Sequence, residues 1–250
     1  MRGAKINDMQ RRQLLKLAGA AALLAQPCAR LARAADIPAQ VAGVMLPRTP
    51  RALAAAAYAR ANCPDYLFNH CMRTYLFGAL RLTTQRLDYD TEEAFIAAAL
   101  HDLGLLPAFE SVKGSFETDG ADAAERWARQ EGVGPAPGDR IWHAVQMHDG
   151  AWALTRRQGP EAMLVALGAA TDVDGPDQAE LGDQQIAEVI AAFPRLKFKQ
   201  QFTALLIAHC ERKPNSQRAT WLEGLCRAHA APALPVDAVQ AEIAAAGFSE

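Results

Sequence analysis

Helical patterning runs through almost the whole chain after residue 50, and it constrains the fold more than any other feature. Alanine is abundant and β-branched residues are sparse, a composition that favours helix. No run alternates apolar and polar residues as a half-buried strand does. We therefore predict one all-α domain of about eight to ten helices over residues 50–250, preceded by an extended N-terminal segment at 35–49.

Residues typical of helix N-termini predict where two of the helices begin. Pro64 suits the first turn of a helix that runs to about Arg86. Asp90, with Glu93 three residues later, forms a capping-box pattern at the start of the next helix, which ends at Gly104. Glycines and Pro214 separate many of the other predicted helical segments, which are 50–62, 117–131, 138–148, 160–172, 182–193, 196–212, 217–230 and 236–246.

The N-terminus resembles a bacterial twin-arginine export signal. The run Arg11-Arg12-Gln13-Leu14-Leu15-Lys16 precedes a short, weakly apolar stretch and a small-x-small cleavage site at 32–34. Gln10 departs from the pattern, because that signal usually has Ser or Thr there. The resemblance implies that residues 1–34 are removed and that the mature protein is periplasmic, without stable membrane association. A frayed basic N-terminal helix is the alternative.

Charge excludes one class of partner. Residues 1–34 hold seven Lys or Arg residues and one acid, which leaves 19 basic and 27 acidic residues, a net charge of −8, in the remainder. An acidic body is a poor match for nucleic acid, so no nucleic-acid partner is expected. Four cysteines remain beyond residue 34, and their spacing does not reveal whether or how they pair. A homo-oligomer is compatible with the sequence.

Adjacent His101 and Asp102 end an apolar helical run, where a core position would rarely carry both. Imidazole and carboxylate are ligands for divalent metals. His70, early in the second helix, and Asp172, near the end of a later one, are the distant partners that could close a site. Taken singly, each would more often be structural.

At these residues the chain resembles the HD-domain metal-dependent phosphohydrolase superfamily, whose signature is H…HD…D. Residues 67–73, 99–104, 115–121 and 193–199, the last containing Phe193-Pro194-Arg195, are similar to its cyanamide hydratase branch. The resemblance covers about residues 50–230. It implies a metal-dependent hydrolase or hydro-lyase with one divalent ion (zinc first, iron, manganese or nickel as alternatives). The implied ligands are His70, His101, Asp102 and Asp172.

The implied chemistry is activation of water for hydration or hydrolysis of a small substrate, such as cyanamide or another nitrile. A phosphohydrolase acting on a nucleotide or phosphomonoester, and a non-catalytic HD binding module, are the alternatives. Three residues are candidates for catalytic roles. Arg73 could bind an anion or pair with Asp102, His148 could donate protons or join a second metal, and Glu117 could line the pocket or cap a helix.

Overall fold

The computed structural model of the protein describes residues 37–175, 180–217 and 220–230. Within these ranges the chain forms ten α-helices and one two-stranded hairpin, so the all-α prediction is confirmed. The predicted export signal at 1–34 and the predicted helix at 236–246 lie outside the described residues. The elements in chain order are β1 (Gln40–Val41), β2 (Val44–Met45), α1 (Pro50–Asn62), α2 (Asp65–Gln85), α3 (Thr91–Leu100), α4 (Phe116–Gln130), α5 (Pro135–Gln146), α6 (Trp152–Thr155), α7 (Pro160–Val173), α8 (Asp183–Ala192), α9 (Phe198–Arg212) and α10 (Glu223–His229).

Helices α2 and α7 form the centre of the domain. Every residue of α2 from 67 to 82 is buried, as expected for a helix that other elements surround. Two glycines allow the helices to approach closely. A Cβ at Gly168 would lie 1.9 Å from the carbonyl oxygen of Thr74, and one at Gly78 would lie 2.2 Å from that of Leu164. The two backbones are therefore nearly in contact.

At the start of α3, one of the two hydrogen bonds of the predicted capping box is present. The Asp90 side chain accepts a hydrogen bond from the backbone N–H of Glu93 at 2.9 Å, as predicted. The reciprocal bond of a capping box is replaced, since the Asp90 N–H donates to Glu161 at 2.8 Å. Glu93 forms a bidentate ion pair with Arg140 instead. The sequence pattern thus located the helix start but not the partner of Glu93.

Two small elements were not predicted. The hairpin of β1 and β2 has only two residues in each strand, too few for alternation to be visible. Helix α6 is a single turn, Trp152–Thr155. Among the described residues, no helix combines the length and apolar character needed to cross a membrane.

One disulfide joins the last two described helices. Cys210 in α9 pairs with Cys226 in α10, a connection that the spacing of the cysteines could not reveal. Cys63 and Cys71 are buried free thiols. The bond ties down the segment between α9 and α10, which includes Trp221.

Candidate metal centre

Local backbone geometry brings His101 and Asp102 to the same point as the buried His70. Helix α3 ends at Leu100, and Asp102 leaves the helical conformation with φ −96° and ψ 9°. The chain then turns at Gly104, where a Cβ would lie 1.9 Å from the carbonyl oxygen of Phe116. A side chain at Gly104 would therefore push away the start of α4, which packs against this turn.

Three ligand atoms converge in the interior. His70 Nε2 lies 3.3 Å from His101 Nε2, and Asp102 Oδ2 lies 3.4 Å from each of these nitrogens. The centre of this nearly equilateral triangle is about 1.9 Å from each corner, close to the zinc–ligand distances of about 2.0–2.2 Å. Among the described residues, these are the three that are grouped closely enough to hold a metal ion.

The hydrogen bonds of the two imidazoles determine what they present to this triangle. His70 Nδ1 faces Asp172 Oδ2 at 2.7 Å, and His101 Nδ1 faces the carbonyl oxygen of Ala98 at 2.9 Å. Both partners only accept hydrogen bonds, since Asp172 is held ionised, so each Nδ1 carries a proton, and in the neutral ring Nε2 then presents a lone pair. The second hydrogen bond of a metal-binding histidine has this role in many metal sites.

The triangle has the chemistry of a metal site. Burial lowers the pKa of His101 to about 3, against the smaller opposing effect of Asp102, so the imidazole is neutral at pH 7. Asp102 Oδ2 is buried and has no hydrogen-bond partner among the described residues. Two nitrogen lone pairs and one carboxylate oxygen thus face one another without a donor between them, and a divalent cation would satisfy all three.

Asp172 lies on the opposite side of the His70 ring from this triangle. Its side chain is fully buried, and the carboxylate accepts from His70 Nδ1, from Arg73 at 2.7 and 2.8 Å, and from Arg195 at 2.6 Å. Although burial alone would raise the pKa of Asp172, the bonds from His70 and Arg73 hold it well below its usual range. Its predicted role as a direct ligand stays a prediction; in the structure its carboxylate is hydrogen-bonded to His70 Nδ1.

Arg73 differs from the sequence-based expectation. It pairs with Asp172 rather than with Asp102, and its remaining bonds go to the carbonyl oxygens of Phe193 and Pro194. The side chain is fully buried and is not among the residues that line the cavity. It therefore stabilises the connection between α8 and α9, away from where a substrate would bind.

His148 and Glu117 lie beside the triangle. His148 lies two residues after the end of α5, and its Nδ1 donates to the carbonyl of Val145 at 2.6 Å. In the neutral ring its Nε2 would present a lone pair, and this nitrogen lies 3.9 Å from Asp102 Oδ1. Glu117 is 2% exposed. Burial, and then the charge of nearby Asp149, raises its pKa to about 8. Glu117 does not line the cavity and does not cap its helix, because Ser115 does so.

A cavity of about 260 Å³ opens onto His70, His101 and Asp102, the candidate ligands. Phe116 and Phe202 lie along it, and Trp152 and Trp221, which are 45% and 48% exposed, complete its aromatic lining. The polar described residues that line it are three histidines and three aspartates, with no Lys or Arg: His70, His101, Asp102, His148, Asp149 and Asp174. Such a volume lies at the lower end for ligand sites, so a small molecule is expected.

Several residues of this site were not assigned a role from the sequence. Asp149 follows His148 directly and could have been included on that ground. Arg195 belongs to the Phe-Pro-Arg motif noted above, but which carboxylate it meets depends on how α8 and α9 fold back onto α2. Trp152 and Trp221 gave no signal, because tryptophans at helical spacing are usually core residues.

Comparison with protein families agrees with this geometry. Residues 67–174 match the family model of the HD domain, and this range contains all four residues of the H…HD…D pattern. The match supports the HD-domain superfamily, whose members are generally metal-dependent hydrolases. A comparison with curated proteins returned no match to the chain.

Proposed function

We propose that this protein is a metal-dependent enzyme that uses His70, His101 and Asp102 to activate water for attack on a small uncharged substrate, with a nitrile of the cyanamide type as the leading candidate. The observation that carries the proposal is Asp102 Oδ2, which has no hydrogen-bond partner among the described residues and faces two imidazole nitrogens at the base of a largely apolar cavity. A divalent ion bound there would lower the pKa of water toward neutrality and supply hydroxide.

The surrounding residues have the proton chemistry that such a reaction needs. Hydration of a nitrile adds the oxygen of water to carbon and transfers both of its protons to nitrogen. His148 Nε2 can accept a proton, because its Nδ1–H is already bonded to a carbonyl oxygen. Glu117, next to Asp149, keeps its proton near pH 7 and can return one through that cavity-lining carboxylate.

The cavity favours this substrate class over a phosphate ester. A phosphate site needs several cationic or backbone donors, and the described lining residues include no Lys or Arg. Among the described residues, Arg73 and Arg195 lie near His70, but both are bonded to Asp172. Asp149 and Asp174 would in addition repel an anion.

The test combines metal analysis with a substrate panel. We expect one divalent ion per chain and turnover of cyanamide or another small nitrile that exceeds turnover of phosphomonoesters. The matched variant is His148→Gln, which we expect to keep the metal and lose about 10²–10⁴-fold in rate. A profile restricted to phosphomonoesters would replace this proposal with the phosphohydrolase alternative, and binding without turnover of any substrate would favour a non-catalytic module.

We also propose that the protein acts in the periplasm after removal of residues 1–34. The disulfide between Cys210 and Cys226 supports this location, because such bonds persist in oxidising compartments. Export in a folded state would allow the metal to be bound before translocation. The mass of the protein recovered from the periplasm tests this, and a mass that still includes residues 1–34 would contradict it.

A further inference from the structure

The connection between α8 and α9 reaches the candidate metal centre on the side of His70 that faces Asp172. Its residues Pro194 and Arg195 contact α2 and α7 rather than solvent alone. The Pro194 carbonyl accepts from Asn69 Nδ2 at 2.8 Å, one residue before His70. Arg195 Nη1 donates both to the Asp172 carboxylate at 2.6 Å and to its backbone carbonyl at 3.0 Å.

These contacts converge on one imidazole. Asp172 Oδ1, which accepts from Arg195, belongs to the same carboxylate whose Oδ2 accepts from His70 Nδ1 at 2.7 Å. The Arg195 guanidinium also lies over the Phe198 ring at 4.9 Å. Phe198 in turn stacks on the His70 ring, with centroids 4.8 Å apart and planes at 23°. Arg195 therefore contacts two of the groups that touch the His70 ring, Asp172 and Phe198.

We infer that Arg195 is a positioning residue, which acts through Asp172 and Phe198 to direct His70 Nε2 at the metal-binding triangle. The role in catalysis rests on the function proposed above, whereas the effect on metal binding does not. Arg195 is not among the residues that line the cavity, so its charge serves the carboxylate behind His70 rather than a substrate in front of it. Partners of metal-binding histidines typically change metal affinity by about 10–100-fold.

Arg195 can be altered with less risk to the fold than its neighbours. Arg73 is fully buried and bonds two carbonyl oxygens besides Asp172, so its removal would leave several buried groups unpaired. The Arg195 side chain is 28% exposed. Arg195→Met keeps an unbranched apolar stem near Phe198 and removes the charge, and Arg195→Lys keeps the charge without the planar guanidinium.

The experiment measures metal binding directly, by competition with a chelator for Zn²⁺ and by the visible absorption spectrum of the Co²⁺-loaded protein. For Arg195→Met we expect about 10-fold weaker metal binding, at the lower end of the range for such partners, and an altered Co²⁺ spectrum. Arg195→Lys should recover part of both. Arg129→Ala is the control, since Arg129 is a surface residue with 66% of its side chain exposed and a carboxylate partner, Glu125.

The outcomes separate this inference from the proposed function. A folded Arg195→Met protein with wild-type affinity and spectrum would overturn the inference. So would a raised KM at unchanged metal affinity, because it would place Arg195 on the substrate. If Arg195→Met fails to fold, Arg195→Lys decides, and wild-type affinity and spectrum there would count against the inference. Weaker metal binding in the variants, combined with no nitrile turnover by the wild type, would overturn the proposed function alone.

Discussion

Replacing Asp102 by Asn should make the metal-free protein more stable and at the same time abolish its response to metal. Asp102 Oδ2 is buried with no donor among the described residues, and it lies 3.4 Å from the Nε2 atoms of His70 and His101. The asparagine side chain introduced by Asp102→Asn would offer an N–H₂ group to those nitrogens. A buried unsatisfied polar group costs about 1–3 kcal/mol.

A gain of about 1–2 kcal/mol is therefore expected, allowing for imperfect angles to His70 and His101. For a domain of this size that corresponds to a rise in Tm of about 2–8 °C. The wild type, in contrast, should gain about 2.7 kcal/mol when free metal is at 100 times its Kd, a rise of about 5–11 °C. The order of the two melting temperatures should thus reverse between chelator and saturating metal.

The assay is thermal unfolding followed by circular dichroism, with EDTA and with Zn²⁺, Mn²⁺ or Fe²⁺. Asp139→Asn is the matched control, because Asp139 is 72% exposed in its side chain and also lies near a histidine, His143, at 3.8 Å. It should shift neither melting curve by more than about 0.5 kcal/mol. An Asp102→Asn protein that is less stable than the wild type in EDTA would refute the reasoning, as would one that is still stabilised by metal.

The remaining predictions concern pH, the disulfide and helix packing. The pKa of Glu117 is about 8 in the folded protein against an ordinary value of 4.5, so the folded state holds a proton that the unfolded state releases, and the free energy of unfolding falls as pH rises from 4.5 to 8. This fall is at most about 1.4 kcal/mol per pH unit. The variant Glu117→Gln should not show it when unfolding by urea is measured in EDTA. Reducing the bond between Cys210 and Cys226 should cost about 3 kcal/mol, or about 6–12 °C in Tm, and a double Ser variant should melt at the reduced temperature with no effect of reductant. Gly168→Ala should destabilise the protein by about 1–3 kcal/mol, because the added Cβ would meet the Thr74 carbonyl. Gly138 is a helical glycine with open space around it, so Gly138→Ala should stabilise the protein by up to about 1 kcal/mol. Equal effects of the two substitutions would contradict the close approach of α2 and α7.

Sequence patterning located most helices because starts and stops are local properties. Asp90 caps α3 as predicted, and the predicted boundaries of α7 and α9 agree with the structure to within about two residues. The one-turn helix α6 was missed, since four residues carry too little periodicity to register. The segment predicted at 217–230 is helical over Glu223–His229 among the described residues.

The sequence predicted the position of some residues of the candidate site but not the contacts of others. The proximity of His101 to Asp102 follows from adjacency, and their convergence with His70 followed from the family resemblance. Whether Asp172 faces the metal or the far nitrogen of His70 depends on the rotation of α7 about its axis. That rotation is set by packing through Gly78 and Gly168, which a linear pattern does not encode. For the same reason, the sequence did not reveal that Arg73 pairs with Asp172.

The near contact of α2 and α7 makes some parts of the site much less tolerant of substitution than others. His70 and Asp172 are carried by two helices whose backbones leave no room for a methyl group at Gly168, so substitutions there endanger the whole domain. Trp152 and Trp221 also line the cavity, but they are 45% and 48% exposed and lie outside these two helices. Changes at these two tryptophans should alter which molecules enter the cavity without disturbing His70, His101 and Asp102, so new specificities should arise at the tryptophans while the three candidate ligands remain unchanged.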